Sequence, residues 1–188
     1  MKNKKIFIDL GANNGCSVDL FLKSFPDSRD YEIHSFECNP ACSKEYKSKY
    51  PSLSLYEKAV STSDGPIDFY TGKLLSSSLR NDKLTGDLYK AKPILVESID
   101  ISSFIKKQFS PNDYIVLKID IEGTEYDILP KMLKDGLFDG YINKLYGEWH
   151  WHKLKNISKQ FHNNLIQQLK QKGFEMKLWC AEKQIIEK

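Results

Sequence analysis

The 188-residue sequence predicts an α/β fold, a mostly parallel sheet with helices on both faces. Three observations predict it. Strand-like and helix-like segments alternate along much of the chain. The first strand runs through a glycine turn straight into a helix, FIDLGANNG at 7–15. The last helix is followed by two short strand-like segments that read as a hairpin.

The elements follow in order. KIFIDL (5–10) is a short apolar run, the mark of a buried strand. In SVDLFLKSF (17–25), Val18, Phe21, Leu22 and Phe25 fall at i, i+3, i+4 and i+7, one helical face, and Pro26 stops it. YEIHSFE (31–37) is the second strand. Asn39 and Pro40 read as the N-cap and first residue of a helix that Pro51 ends. LSLYEKAVS (53–61) is the third strand.

Residues 61–98 break the alternation. IDFYTG (67–72) and ILVESI (94–99) look like extra strands, and the roughly 20 residues between them have little periodicity. In a compact domain such a stretch is a functional loop or a disordered one. YIVLKID (114–120), the most β-branched run, is the fourth main strand. Glu125, Ile128, Leu129, Met132 and Leu133 form a helical stripe, and Pro130 inside it is expected to kink or shorten the helix. INKLYGEW (142–149) is the fifth main strand. Residues 158–172 form a helix with Phe161, Leu165 and Leu169 inward and Gly173 as its C-terminal glycine. FEMKLW and QIIE, separated by CAEK, are the hairpin. The length suits one domain over 1–188, with an insertion at about 61–98.

Composition narrows the function. The chain is 40% hydrophobic and 28% charged, ordinary for a globular domain, and carries a net charge of only +3. That charge is too mild to argue for a nucleic-acid partner. Lys153, Lys155 and Lys159 read as a solvated helix face. No apolar window is long enough to span a membrane, and the basic N-terminus MKNKK is followed by a run broken at Asp9. The four cysteines do not read as a disulfide framework, and neither the Cys38–Cys42 nor the His150–His152 spacing is that of a usual zinc pair. A reducing, cytoplasmic setting is the expectation.

The glycine turn carries the first chemical information. In an open parallel sheet, ligands bind where strand ends meet helix N-termini at the switch in strand order. A dinucleotide fingerprint needs glycines at 11, 13 and 16; here Asn13 and Cys16 replace two of them. The turn therefore fits a ligand without a pyrophosphate. Glu37 ends the second strand, where a carboxylate can accept hydrogen bonds from a ribose diol. Asp9 adds negative charge near the turn, which favours an amino-bearing or cationic ligand. S-adenosylmethionine combines ribose, amino acid and sulfonium. The expected cofactor-binding residues are Asp9, Gly11, Ala12, Asn13, Gly15, Glu37, Cys38, Ala59, Val60 and Asp120.

IFIDLGANNG, the SFECNP segment around Glu37 and LKIDIEGTEYDIL (117–129) together resemble the FkbM-type S-adenosylmethionine-dependent methyltransferases. The resemblance runs from about residue 5 to about residue 187, and LKIDIEGTE is its most specific part. It implies a Rossmann-like class I methyltransferase fold with a seven-stranded sheet and a C-terminal antiparallel hairpin. It also implies O-methylation, commonly of hydroxyls on sugars or glycosylated natural products. Many members carry a segment before the first strand; here that strand starts at about residue 5, so a substrate cap is expected from 61–98. Fusion to or association with glycosyltransferases is a further expectation.

A sugar hydroxyl benefits from a general base, typically worth roughly 100- to 10,000-fold. Such a base belongs at the carboxyl ends of the strands. Asp120 and Glu122 follow the fourth main strand; Glu148, His150 and His152 follow the fifth. His150 is the favoured base, with Asp120 or Glu148 next, although Asp120 and Glu122 also suit a helix N-terminus. Glu125 reads as structural, and His34 and His162 as background. Ser76, Ser77, Ser78, Arg80, Glu122, Trp149 and His152 are substrate-side candidates. Strand alternation puts Trp149 and Trp151 on one side, for sugar stacking or for the core. If the fourth and fifth strands are neighbours, Asp120 and Glu148 converge, and with a substrate diol they can hold Mg2+. The competing readings are an RNA methyltransferase, which would need a positive track and a Lys near the methyl site, and a non-catalytic domain that binds S-adenosylmethionine or a glycan. Lys118 is the nearest such Lys, and its strand leaves open that it points away. A nicotinamide dehydrogenase is opposed by the missing glycines.

Overall fold

The computed structural model describes residues 3–73 and 76–179. Its strands are β1 (Lys5–Leu10), β2 (Tyr31–Phe36), β3 (Ser54–Tyr56), β4 (Ala59–Ser61), β5 (Gly65–Phe69), β6 (Ile94–Asp100), β7 (Tyr114–Ile119), β8 (Ile142–Gly147) and β9 (Lys177–Leu178). Its α-helices are α1 (Cys16–Ser24), α2 (Pro40–Lys49), α3 (Ile101–Gln108), α4 (Glu125–Lys134) and α5 (Lys159–Gln171).

Six strands form the main sheet in the order β3-β2-β1-β7-β8-β9, and every pair in it is parallel. The chain walks outward from β1 to β3 and then returns to β7. The order therefore reverses between β1 and β7. This is a Rossmann-like α/β sheet, as the sequence predicts, but with six strands among the described residues rather than seven. Of the expected C-terminal antiparallel hairpin, FEMKLW supplies β9, which pairs parallel with β8, and QIIE lies outside the described residues.

Strand alternation builds two cores. On β1, Ile6, Ile8 and Leu10 face one side and join Ile115, Leu117 and Ile119 of β7 with residues of α3, α4 and α5. Phe7 and Val116 face the other side and pack on Val18 and Phe21 of α1 and Tyr46 of α2. Phe7 stacks on Phe21 with centroids 4.0 Å apart. Each such fully buried large side chain contributes roughly 1.5–3 kcal/mol.

Three expectations change. The third strand, 53–61, is two strands in two sheets. The Tyr56 carbonyl accepts from both Glu37 N–H and Lys58 N–H, which ends pairing with β2 and bends the chain away. β4 then joins β6 in a second sheet of order β4-β6-β5, with β5 antiparallel. Helix α3 is an addition; Asp100 caps it by accepting from Ser103 N–H, and Ile101, Phe104 and Ile105 are its inner face. On α5, Leu165 and Leu169 are inward but Phe161 is exposed, and His162 is buried in its place, hydrogen-bonded to the Tyr126 hydroxyl at 2.8 Å. Helix α4 continues through Pro130 to Lys134. Among the described residues no helix is long and apolar enough to cross a membrane.

Candidate active site

A cavity of about 460 Å³ opens at the carboxyl ends of β1, β2 and β7, where the strand order reverses. Gly11, Ala12 and Asn13 of the turn, Glu37 and Cys38 after β2, Ala59 and Val60 of β4, and Asp120 after β7 all line it. The bend after Tyr56 is what carries Ala59 and Val60 to its wall.

The turn is held by its own neighbours. Gly11 N–H and Ala12 N–H both donate to the Phe36 carbonyl, Gly15 N–H to the Ala12 carbonyl, and Asn13 N–H to Glu37 Oε2 at 2.9 Å. Four of the turn's N–H groups, those of Gly11, Ala12, Asn13 and Gly15, are therefore taken within the protein. Gly11 sits at φ +82°, and a Cβ there would lie 2.0 Å from the Asp120 carbonyl oxygen. The β1 turn and the end of β7 thus approach closely only because this residue is glycine. Gly15 caps α1 from the left-handed region but does not line the cavity.

Glu37 is tied on both oxygens, Oε1 accepting from Asn39 N–H at 2.7 Å. Each oxygen keeps acceptor capacity beyond that one bond, and Glu37 lines the cavity. Burial pushes its pKa up, only partly offset by the Asn39 and Asn13 N–H groups and Lys118.

Asp9 does not line the cavity. It is fully buried, accepts from the Ser17 hydroxyl at 2.5 Å, and pairs with Lys118 Nζ at 3.1 Å. The cause is register: Asp9 on β1 stands directly beside Lys118 on β7. Lys118 turns toward the site rather than away from it. Its ammonium lines the cavity and donates to the Gly11 carbonyl at 2.8 Å. Burial lowers its pKa, but the charges of Asp9 and Asp120 outweigh burial and hold it above the ordinary lysine value. A lysine in an otherwise apolar β-branched run was the sequence signal for this pair.

The acid–base candidates converge. His150 is fully buried and does not line the cavity; Asp120, Glu122 and Glu148 do. His150 Nδ1 bonds Glu125 Oε1 at 2.9 Å, and the same oxygen accepts from His150 N–H. Nε2 points the other way, 3.6 Å from Asp120, 3.6 Å from Glu148 and 3.8 Å from Glu122. Burial lowers the His150 pKa, yet the Glu125 hydrogen bond and the charges of Glu125, Glu122 and Asp120 set it above the ordinary histidine value. A Cβ on Gly147 would lie 2.1 Å from the Ile119 carbonyl oxygen, so glycine at the end of β8 lets the two strand ends, and hence Asp120 and Glu148, come together.

The substrate-side candidates separate. Ser77 and Ser78 line the cavity, and Ser78 donates to the Glu122 carbonyl at 2.8 Å. Ser76 instead bonds the Lys73 and Gly86 carbonyls. Arg80 is turned away, into a separate groove, where its guanidinium meets both oxygens of Asp127 at 2.9 Å and also Asp82. β8 ends at Gly147, so alternation does not govern the tryptophans. Trp149 and Trp151 pack on the core around Tyr126 and His162, and His152 is exposed. Lys83, absent from the sequence reading, is 1% exposed; its ammonium reaches Glu122 at 2.6 Å and the Ser76 carbonyl at 2.5 Å, pinning the 76–86 loop over the site. Cys16, Cys38 and Cys42 are free thiols, and burial pushes Cys42 up to about 11.

No match was found among curated proteins, and none among solved structures. A family model does match: the methyltransferase FkbM domain, over residues 9–176. That span takes in the glycine turn, Glu37, the Asp9–Lys118 pair and the carboxylates around His150, and on it the chain belongs to the FkbM methyltransferase family.

Proposed function

We propose that this methyltransferase uses S-adenosylmethionine and methylates a hydroxyl of a sugar, glycan or glycosylated small molecule. The observation that carries the cofactor assignment is the state of the glycine turn. Gly11, Ala12, Asn13 and Gly15 spend their N–H groups inside the protein, while Glu37 lines the cavity with acceptor capacity left over. That donor and acceptor set suits a ribose without phosphate. Asp120, Glu122, Glu148, Ser77 and Ser78 on the cavity wall suit an acceptor rich in hydroxyls.

When bound, S-adenosylmethionine supplies a methyl carbon on a sulfonium, which the acceptor oxygen attacks in line as the carbon–sulfur bond breaks. The protein's part is alignment and proton removal. Well-oriented reactants can gain about 7–11 kcal/mol. Glu37, with Asn13 and Asn39 fixing it, orients the ribose. Asp120 and Glu148 take the acceptor proton on a carboxylate oxygen; His150 stands behind them, fixed by Glu125.

Calorimetric titration with S-adenosylhomocysteine tests the cofactor, with NAD in parallel. Binding of the homocysteine nucleoside alone, weakened at least tenfold in Glu37→Ala, is the expected result. NAD binding, or unchanged affinity in the variant, would sink the assignment. A sugar panel with radiolabelled methyl donor then identifies the acceptor.

A further inference from the structure

We propose that Asp120, Glu148 and His150 bind one divalent cation of the Mn2+ kind through two carboxylate oxygens and His150 Nε2. One donor atom from each of the three residues falls within a 4.8 Å cluster. His150 is fully buried, and its Nε2 has no hydrogen-bond partner among the described residues.

The argument is one of donors and acceptors. Glu125 Oε1 accepts at 2.9 Å from His150 Nδ1, so the Nδ1 proton is fixed there. In the neutral ring, Nε2 is then a lone pair, and it is aimed at Asp120, Glu148 and Glu122, which are acceptors too. Lys83 pairs with Glu122 and Lys118 stands 4.0 Å from Asp120, but no donor among the described residues meets Nε2 itself, and a cation shared with Asp120 and Glu148 would. The observed separations are 3.6, 3.6 and 3.8 Å. Ligand atoms of an ion with bonds of about 2.1 Å stand about 3.0 Å apart in an octahedron and about 3.4 Å apart in a tetrahedron. The separations of Nε2 from Asp120 and Glu148 are somewhat longer than either, which leaves room for an ion that the three groups would close on.

The surroundings agree. Glu125 is fully buried and fully used: Oε1 bonds His150 twice and Oε2 accepts from Gly123 N–H at 2.9 Å. A carboxylate behind a histidine is the usual support for a metal-bound imidazole. Glu122, in contrast, is neutralised by Lys83 at 2.6 Å and stays outside the ligand set. An imidazole nitrogen moves preference from Mg2+, which favours oxygen, toward Mn2+ and its neighbours. Asp120 and Glu148 are part-exposed, so the cation's remaining positions face the cavity.

The consequence rests on the O-methyl reading. A hydroxyl beside the cation is a stronger acid. Its O–H bond breaks, the proton passes to the carboxylate oxygen of Glu148 left free, and the oxygen bonds to the methyl carbon as the carbon–sulfur bond breaks and the thioether leaves. Acceptors with two adjacent oxygens fit the open positions best.

The test is direct binding to the whole chain after EDTA treatment, with Mn2+ as probe and Mg2+ and Zn2+ in parallel. One Mn2+ per chain is expected by calorimetry, with an imidazole-nitrogen coupling in pulsed electron paramagnetic resonance. Glu125→Gln should weaken Mn2+ about 10- to 100-fold. Asp120→Asn should weaken it further, with circular dichroism confirming the fold. No binding of any of the three ions, binding without the nitrogen coupling, or affinity unchanged in Asp120→Asn would each overturn the proposal. S-adenosylhomocysteine titrated in the same samples reports on the cofactor assignment separately.

Discussion

Replacing Lys118 by methionine removes a charge that the fold has buried against another. Lys118 is 2% exposed and Asp9 is 0% exposed. The ammonium stands 3.1 Å from Asp9 and donates to the Gly11 carbonyl at 2.8 Å. Methionine fills nearly the same volume, so the packing of β7 is kept and the loss is electrostatic. Asp9 would keep only the Ser17 hydroxyl. Breaking one side of a buried ion pair costs about 3–5 kcal/mol. With a urea dependence of about 2 kcal/mol per molar, the midpoint falls by about 1.5–2.5 M. Adding Asp9→Asn removes the orphaned charge, and the double variant should recover about 1–3 kcal/mol relative to Lys118→Met. Equilibrium urea unfolding of the four proteins measures both numbers. A Lys118→Met midpoint within about 0.5 kcal/mol of the parent, or no recovery in the double variant, would refute the account of Asp9 and Lys118 as one buried pair.

Gly11→Ala places a Cβ 2.0 Å from the Asp120 carbonyl oxygen at φ +82°. The backbone term alone is about 1–3 kcal/mol, so a thermal midpoint at least about 2–4 °C lower is expected by calorimetry, and an unchanged midpoint would contradict the close approach. Cofactor affinity should fall in acid because Glu37 must be ionised to accept from the ribose. Its pKa is raised by burial, so the full affinity holds above that raised value and is lost as pH falls through it, earlier than an ordinary glutamate at about 4.3 would allow. S-adenosylhomocysteine titrations between pH 8 and pH 5 check this, and Glu37→Gln should show no such fall.

The sequence by itself determined the alternation of strand and helix, and with it the parallel sheet. Period-2 and period-3.6 patterns are local, and residues such as Ile6, Ile8, Val18 and Phe21 report them without knowledge of neighbours. It also determined the turn chemistry, because the absence of glycine at 13 and 16 is a statement about backbone approach. The capped helix at Pro40 was legible for the same reason. Tertiary structure decided what local pattern cannot carry. Register set Asp9 beside Lys118, so a carboxylate expected to face the ligand is buried and a lysine is turned into the site. The end of β8 at Gly147 took His150 and the tryptophans out of strand alternation, putting the imidazole behind the carboxylates and the indoles on the core. Arg80 and Lys83 lie three apart, yet one faces a separate groove and the other pins Glu122, because their partners Asp127 and Glu122 come from a distant helix and turn. Charge pairs of this kind are long-range choices among many sequence-compatible partners, and only the packed chain makes them.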